Sequence, residues 1–414
     1  MKITDIDIIP IHPRLHRRYD NVAGRGRMSG IDHRLVFKVR TDNGLTGYGD
    51  GDWPGPPPPT SLVEPLIGRN PFDFLNNDMP MALGSALYDV MGKYLEVPIH
   101  KLLGPKLRDA GTVAAWTRPC PPDVFQGEIK RAIADGYTIF KMHTNPRYDP
   151  VEQARVATEV APEGFKIHFD FNGGGRTLAA VLPLVNQLER EHPIVGFIED
   201  PLPKEDIGGW RELREKSRIP IVHGGRPALG GLQEIMYGMA DIYMLGGSIA
   251  DVMSRGIACA KANVQTILQL TGGTLMKAMT LHIASVLPTA TGHSINLDDQ
   301  YEEDITTEWF EVTEGYSRVP EGPGLGFEVD EEALRRLAGN DFLVPRRTVG
   351  ILHLPGGKKV YTTRRPDVQG MTGREEGTIR GIDYEMWEDD GSSEFERIYQ
   401  QTREEALAQG LRVD

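Results

Sequence analysis

Four short apolar runs between residues 137 and 226 end in side chains that could do acid–base or metal chemistry. The first ends in Lys141 and His143, the second in Asp170 and Asn172, and the third in Glu199. Because side chains alternate along a strand, the members of each pair share one face. Two carboxylates on neighbouring strands can hold a hard cation such as Mg²⁺, which would stabilise an enolate formed by removing a proton next to a carboxylate. The basic pair would flank the same point.

Roles follow from the residue types. An imidazole is suited to proton transfer near neutral pH, so we predict His143 as the catalytic acid–base group and Lys141 as its electrostatic partner. Asn172 could be a neutral metal ligand or a substrate hydrogen-bond donor. The fourth run ends in His223-Gly224-Gly225-Arg226. His223 lies two residues before Gly225, so we expect both to face the barrel interior. His223 could then be an imidazole ligand, which would favour Mn²⁺, Fe²⁺ or Zn²⁺ over Mg²⁺. The alternative is a hydrogen-bonded core histidine.

A regular alternation of strand-like and helical segments would position these side chains. The strand-like runs begin near residues 112, 137, 166, 195, 219, 240, 266 and 293. Spacings of this kind are typical of repeated βα units, and eight of them predict a parallel barrel with its chemistry at the strand carboxyl ends. The runs use about 190 residues where a complete barrel takes about 250, so we expect the eighth helix to be missing.

Net charge and composition limit the classes of partner that the protein can have. The 414 residues carry a formal charge of −13, which disfavours a nucleic acid or an anionic membrane as the main partner. Two cysteines, Cys120 and Cys259, provide no disulfide framework, and no segment approaches 18 uninterrupted apolar residues. We therefore expect a cytoplasmic protein that acts on a small molecule, with no nucleic acid and no membrane.

Three segments outside the barrel carry a family resemblance. They are TDNGLTGYGDGD (41–52), SALYDVMGKYLEVPIHKLLGPKLRD (85–109) and VPEGPGLGFEVD (319–330). Together they resemble the enolase superfamily, in its mandelate racemase/muconate lactonizing subgroup, over roughly residues 1–340. The implied α/β fold is a (β/α)7β TIM-like barrel with an α+β capping domain built from N- and C-terminal segments. We expect the cap at 1–110, the barrel at 111–310, a return segment at 311–341 and a C-terminal extension at 342–414.

The resemblance implies site residues, with departures. Asp170 and Glu199 match two of the family's three Mg²⁺ carboxylates, but the third position is Gly225. The family's Lys-x-Lys appears as Lys141-x-His143. These departures leave open whether Mg²⁺, the family's metal, is bound here at all.

Further positions concern the substrate. In the family's racemases an Asp and a His form a second base; we match these positions to Asp241 and Thr274. Arg25 and Arg27 fall in the cap loop that reads the distal end of the substrate. We expect substrate contacts from Arg25, Arg27, Asn172, Arg226 and Thr274.

The missing second base favours elimination over racemisation. We therefore predict a carbon–oxygen lyase of the acid-sugar dehydratase type, acting on a small carboxylate and forming a homo-oligomer. One alternative is a racemase, an epimerase or a metal-independent lyase on a hydroxy acid, with its anion held by Lys141, His143 and Arg226. Another is a non-catalytic ligand-binding homologue.

Overall fold

A computed structural model describes residues 1–16, 18, 34–53, 55–145, 148–172, 177–225, 227–341, 347–354, 356–357, 359–363, 383–404 and 411–413. In these ranges, no helix combines the length and the apolar character needed to cross a bilayer.

Seven parallel strands form the central sheet, in chain order from one edge to the other. Helices connect most of them, as the spacing of the apolar runs predicts. The strands are β5 (Ala115–Thr117), β6 (Ile139–His143), β7 (Lys166–Asp170), β8 (Val195–Glu199), β9 (Ile221–His223), β10 (Ile242–Leu245) and β11 (Gln265–Leu268). The helices are α3 (Pro122–Ala134), α4 (Pro150–Thr158), α5 (Leu178–Glu191), α6 (Ile207–Lys216), α7 (Leu232–Tyr237), α8 (Ile249–Lys261) and α9 (Thr274–Val286).

Residues 294–295 join the two edges of this sheet. Ser294 forms a parallel bridge to Val113, just before β5, and Ile295 forms one to Gln269, just after β11. These contacts close the curled sheet at the eighth predicted strand position. No helix follows before the 3₁₀ turn at Asp298–Gln300, which agrees with the expected absence of an eighth helix.

A three-stranded antiparallel sheet precedes the barrel. It consists of β1 (Ile3–Ile11), β2 (Arg34–Thr41) and β3 (Thr46–Asp52), and the long helix α1 (Met81–Leu95) packs against β3. A Cβ atom at Gly47 or Gly49 would overlap a backbone carbonyl of α1. The glycines of the hairpin therefore allow the strand and the helix to approach closely.

Short elements link this sheet to the barrel. Helix α2 (His100–Leu103) follows α1, and β4 (Ala110–Thr112) pairs with β12 (Tyr316–Arg318). Helix α10 (Glu331–Ala338) then returns to contact β1. Segments from both ends of the first 340 residues therefore meet beside the barrel.

Beyond residue 346, four strands form a separate antiparallel sheet in the order β15-β13-β14-β16. Their bounds are β13 (Thr348–His353), β14 (Lys359–Thr362), β15 (Asp383–Glu388) and β16 (Leu411–Val413). Helix α11 (Ser393–Glu404) packs on this sheet, where Phe395 and Ile398 bury against Val349.

Candidate active site

The carboxyl ends of β6, β7 and β8 bring a lysine between two carboxylates. Lys141 Nζ lies 3.0 Å from Asp170 Oδ2 and 2.9 Å from Glu199 Oε2. The lysine side chain is fully buried, and both carboxylates are nearly so. Strand register explains the arrangement, because Lys141 pairs with the residue two before Asp170, and Asp170 pairs with Glu199. The distances are those of ion pairs.

His143 lies one layer nearer the barrel mouth. Its Nδ1 is 2.7 Å from Asn172 Oδ1, and its Nε2 is 3.4 Å from Asp170 Oδ2. Asn172 in turn donates its backbone N–H to Asp170 Oδ1 at 2.7 Å and has a left-handed backbone, with φ of 59°. The imidazole remains 30% exposed while Lys141 is 0% exposed, so His143 is the member of this group that a substrate can reach.

Two interior histidines complete the cluster and were missed from the sequence. His168 Nε2 lies 2.9 Å from Glu199 Oε2, and His168 Nδ1 lies 2.8 Å from His293 Nε2. Both histidines are buried. His168 stands two residues before Asp170 on β7, so strand alternation alone could have placed it on the same face.

Burial and neighbouring charges set the charge states of the carboxylates. Burial, with the adjacent charge of Asp170, raises the pKa of Glu199 to about 7 despite its contact with Lys141. Burial opposes ionisation of Asp170 too, but Lys141 and His143 hold the pKa of Asp170 below its ordinary value. Burial would likewise lower the pKa of Lys141, yet the two carboxylates raise it. The lysine is therefore a fixed positive charge rather than a proton donor at neutral pH.

His223 does not join this cluster, in contrast to the expectation that it faces the barrel interior. Its ring packs against Trp210 of α6, at 5.0 Å between centroids, and against Tyr243 of β10, at 5.7 Å. The neighbouring Val222 instead belongs to the interior apolar cluster. Since side chains alternate, His223 must point outward into the helix layer, where burial lowers its pKa to about 4.

Asp241 also lies away from the cluster. It precedes β10, at the opposite end of the strand from the cluster. Its carboxylate pairs with Arg214 at 2.7 Å and accepts the backbone N–H of Ile221 at 2.9 Å. Asp241 is therefore an ion-paired structural residue.

Thr274 is buried at the first turn of α9, where an ionic network fastens the cap to the barrel. Its backbone N–H donates to Asp304 at 2.7 Å, and that of Gly273 donates to Asp50 at 2.7 Å. Both carboxylates contact Arg34 of β2. The structure therefore places Thr274 at the junction between cap and barrel; its role as a substrate contact stays a prediction. Of the other predicted contacts, Arg25, Arg27 and Arg226 lie outside the described residues.

A cavity of about 840 Å³ opens at the mouth of the barrel, and none of the clustered side chains lines it. It is bounded by the carboxyl ends of β9, β10 and β11 and by the start of α1, through Gly225, Gly246, Gln269 and Met81 among others. This volume falls within the range of small-molecule sites, roughly 300–1,000 Å³. A small acid could therefore be held between cap and barrel.

The residues present do not fit a Mg²⁺ ion well. Mg²⁺ requires near-octahedral oxygen coordination, and superfamily sites supply three carboxylates. In the described ranges, no three His, Cys, Asp or Glu side chains are grouped as metal ligands. Gly225 offers no side chain at the third position, and Lys141 Nζ already lies between Asp170 and Glu199.

Comparisons with known proteins agree with this architecture. Residues 125–333 match the family described as enolase C-terminal domain-like. N-succinyl-L-Arg/Lys racemase of Bacillus cereus is 26% identical over 369 residues, covering 81% of this chain and 98% of the racemase. D-gluconate dehydratase of Thermoproteus tenax is 27% identical over 364 residues, covering 76% of this chain and 71% of the dehydratase.

A solved structure supports the same fold. The crystal structure of the Bacillus cereus N-succinyl Arg/Lys racemase superposes with a TM-score of 0.67 at 22% identity, covering 82% of this chain and 99% of the racemase. The matched family segment spans half of the 414 residues. It contains β6 to β11 and all the clustered side chains, including His293. The chain belongs to the enolase superfamily.

Proposed function

We propose that the protein is a lyase of the acid-sugar dehydratase type, which removes the proton α to a carboxylate and eliminates the β-hydroxide. The observation that carries the proposal is the partly exposed His143, held over a buried Lys141 at the barrel mouth. The similarity to a D-gluconate dehydratase supports the substrate class. The cavity at the carboxyl ends of β9, β10 and β11 has room for a small polyhydroxy acid.

Asn172 determines which nitrogen of His143 acts as the base. An amide oxygen only accepts hydrogen bonds, so the contact between Nδ1 and Asn172 Oδ1 places the ring hydrogen on Nδ1. Nε2 then carries the lone pair that takes the α-proton. Asp170 Oδ2, 3.4 Å from Nε2, stabilises the positive charge that forms on the ring.

One residue can serve both halves of the elimination. His143 Nε2 takes the α-proton, and the electrons of the C–H bond form the enolate. The enolate expels the β-hydroxide, which leaves with the proton from His143 as water, and the enol product rearranges to a 2-keto acid. Lys141, one layer deeper, supplies a fixed positive charge while the enolate exists.

Racemisation would need a second base on the opposite face of the substrate. The position matched to that base is Thr274, whose side chain cannot exchange a proton at neutral pH. The similarity to an N-succinyl-L-Arg/Lys racemase keeps racemisation as the second candidate.

The two reactions can be separated in one experiment. The protein is incubated with a panel of sugar acids in D₂O, and both α-proton exchange and 2-keto acid formation are followed. Product formation is the expected result. Exchange without product would favour the racemase, and neither signal on any acid would contradict the proposal.

A matched pair of variants assigns the base. His143→Asn should abolish both signals, since the proton acceptor is lost. His353→Asn, in the C-terminal sheet and paired there with Glu385 at 3.0 Å, should leave them unchanged. Retained exchange in His143→Asn would refute the assignment.

A further inference from the structure

A lysine side chain stands where the third metal carboxylate of the superfamily would begin. A Cβ atom built on Gly225 would lie 2.9 Å from Lys204 Nζ. Lys204 Nζ also contacts the carbonyl oxygen of Gly224, and it lies 3.3 Å from Asp200 Oδ2. Gly225 has φ of 61°, a conformation that a glutamate or aspartate adopts only with strain. The backbone conformation therefore disfavours an acidic residue at this position, and Lys204 Nζ would have to shift to admit its Cβ atom.

The two remaining carboxylates are covered by nitrogen atoms. Asp170 Oδ2 faces Lys141 and His143, and its Oδ1 accepts the N–H of Asn172. Glu199 Oε2 faces Lys141 and His168. Its Oε1 packs so tightly on Gly224 that a Cβ atom there would overlap it. A divalent ion would have to displace these groups before it could reach two ligand oxygens.

Positive charge reaches the centre without a metal. Lys141 Nζ lies between Asp170 and Glu199, and Lys204 Nζ lies 3.3 Å from Asp200 Oδ2. Two ammonium groups fixed to the chain thus carry the positive charge that a metal ion carries elsewhere in the superfamily.

We infer that Lys141 and Lys204 together take the place of the divalent metal ion in this centre. The inference rests on the proposed function only in that the reaction at this centre forms an anion next to a carboxylate. Lys204 is a positioning residue here, because it holds the β9 loop through Gly224 and Asp200. The structure shows no contact between Lys204 and a reacting atom.

Metal binding tests the inference independently of turnover. The full-length protein, dialysed against a chelator, is titrated with Mn²⁺ and followed by electron paramagnetic resonance and isothermal calorimetry. We expect no stoichiometric binding and no rise in melting temperature with millimolar Mg²⁺. One Mn²⁺ bound per chain with micromolar affinity would overturn the inference, whatever reaction the protein catalyses.

A restored site provides the second measurement. Lys204→Met with Gly225→Glu removes the ammonium group, supplies the third carboxylate and clears the space for its Cβ atom. We expect this double variant to bind one Mn²⁺ per chain, at least tenfold more tightly than the wild type. Lys216→Met with Gly225→Glu is the control, because Lys216 lies on α6 and pairs with Glu212 instead. A folded double variant that binds no Mn²⁺ would refute the role given to Lys204.

A failure of the proposed function can be distinguished from a failure of the metal inference. If no sugar acid undergoes exchange or elimination while the wild type also binds no Mn²⁺, the metal inference stands and the reaction is wrong. If a sugar acid is dehydrated only when Mn²⁺ is bound, the reaction stands and the metal inference is wrong.

Discussion

Arg34 offers the sharpest test of how the cap is fastened to the barrel. Its guanidinium is fully buried and contacts Asp50 of β3 and, at 2.8 Å, Asp304. It also lies 4.9 Å from the centre of the Tyr301 ring. Arg34→Met keeps most of the side-chain volume but leaves two carboxylates buried without a counter-charge.

The expected cost follows from what remains after the substitution. Breaking a buried ion pair from one side typically costs about 3–5 kcal/mol. Both carboxylates keep backbone N–H donors: Gly273 and Met276 donate to Asp50, and Thr274 and Ile305 donate to Asp304. We therefore expect the lower end of that range, about 3 kcal/mol in the free energy of unfolding at pH 8.

The cost of Arg34→Met in the free energy of unfolding should depend on pH, with a definite sign. Burial would raise the pKa of Asp304, but Arg34 holds it below its ordinary value. Without Arg34, burial dominates and the folded-state pKa of Asp304 rises above its unfolded value of about 3.9. In the variant, the folded state then binds a proton on Asp304 more tightly than the unfolded state does. The free energy of unfolding of the variant therefore falls as the pH rises from about 3.9 through the new pKa. The cost should therefore be smaller at pH 5 than at pH 8.

Urea unfolding followed by tryptophan fluorescence measures both quantities. Arg40→Met is the matched control, because Arg40 lies on the same strand and also pairs with two carboxylates, Asp5 and Asp7, but at the surface. Exposed pairs contribute about 0–1 kcal/mol. A cost for Arg34→Met no larger than that of the control, or a cost that grows as the pH falls, would refute the reasoning.

Three further predictions concern the cluster itself. Lys141→Met should abolish α-proton exchange. It should also lower the free energy of unfolding by about 3–5 kcal/mol, because two buried carboxylates lose the cation between them. Near-normal exchange in this variant would contradict the prediction. Asn172→Asp adds a negative charge beside His143, stabilises its protonated form and should move the acid limb of the pH–rate profile to higher pH; an unmoved profile would argue against that contact. Gly224→Ala places a methyl group against Glu199. It should lower the free energy of unfolding in urea by about 1–3 kcal/mol and slow α-proton exchange at saturating substrate. A variant with unchanged stability and exchange would show that the Glu199 carboxylate is free to move.

The barrel was predictable because its signals are local. The predicted strand starts lie within a few residues of those observed, since buried parallel strands are continuous apolar runs. Strand alternation also placed Lys141 with His143 correctly. The same rule was misapplied to His223, because Val222, and not its neighbours, occupies the interior. A three-residue strand, Ile221–His223, is too short for its apolar pattern to reveal which face is inside.

Lys204 could not have been predicted in the same way. It lies in the connection between β8 and α6, and its importance depends on contact with the loop after β9, twenty residues later. The sequence shows a missing carboxylate at Gly225, but the ammonium group that replaces it becomes visible only when the two loops are brought together.

Replacing a metal ion by two ammonium groups changes how the centre can work. A metal ion binds substrate oxygens directly and polarises them, whereas an ammonium group acts as a point charge and a hydrogen-bond donor. Lys141 is fully buried and already paired with two carboxylates, so its stabilisation of an enolate acts at a distance and is weaker than direct coordination. The compensating gain is preorganisation, because both ammonium groups are attached to the chain and are in place before the substrate arrives. A centre of this kind should hold its geometry at any metal concentration, which is the property the Mn²⁺ titration measures.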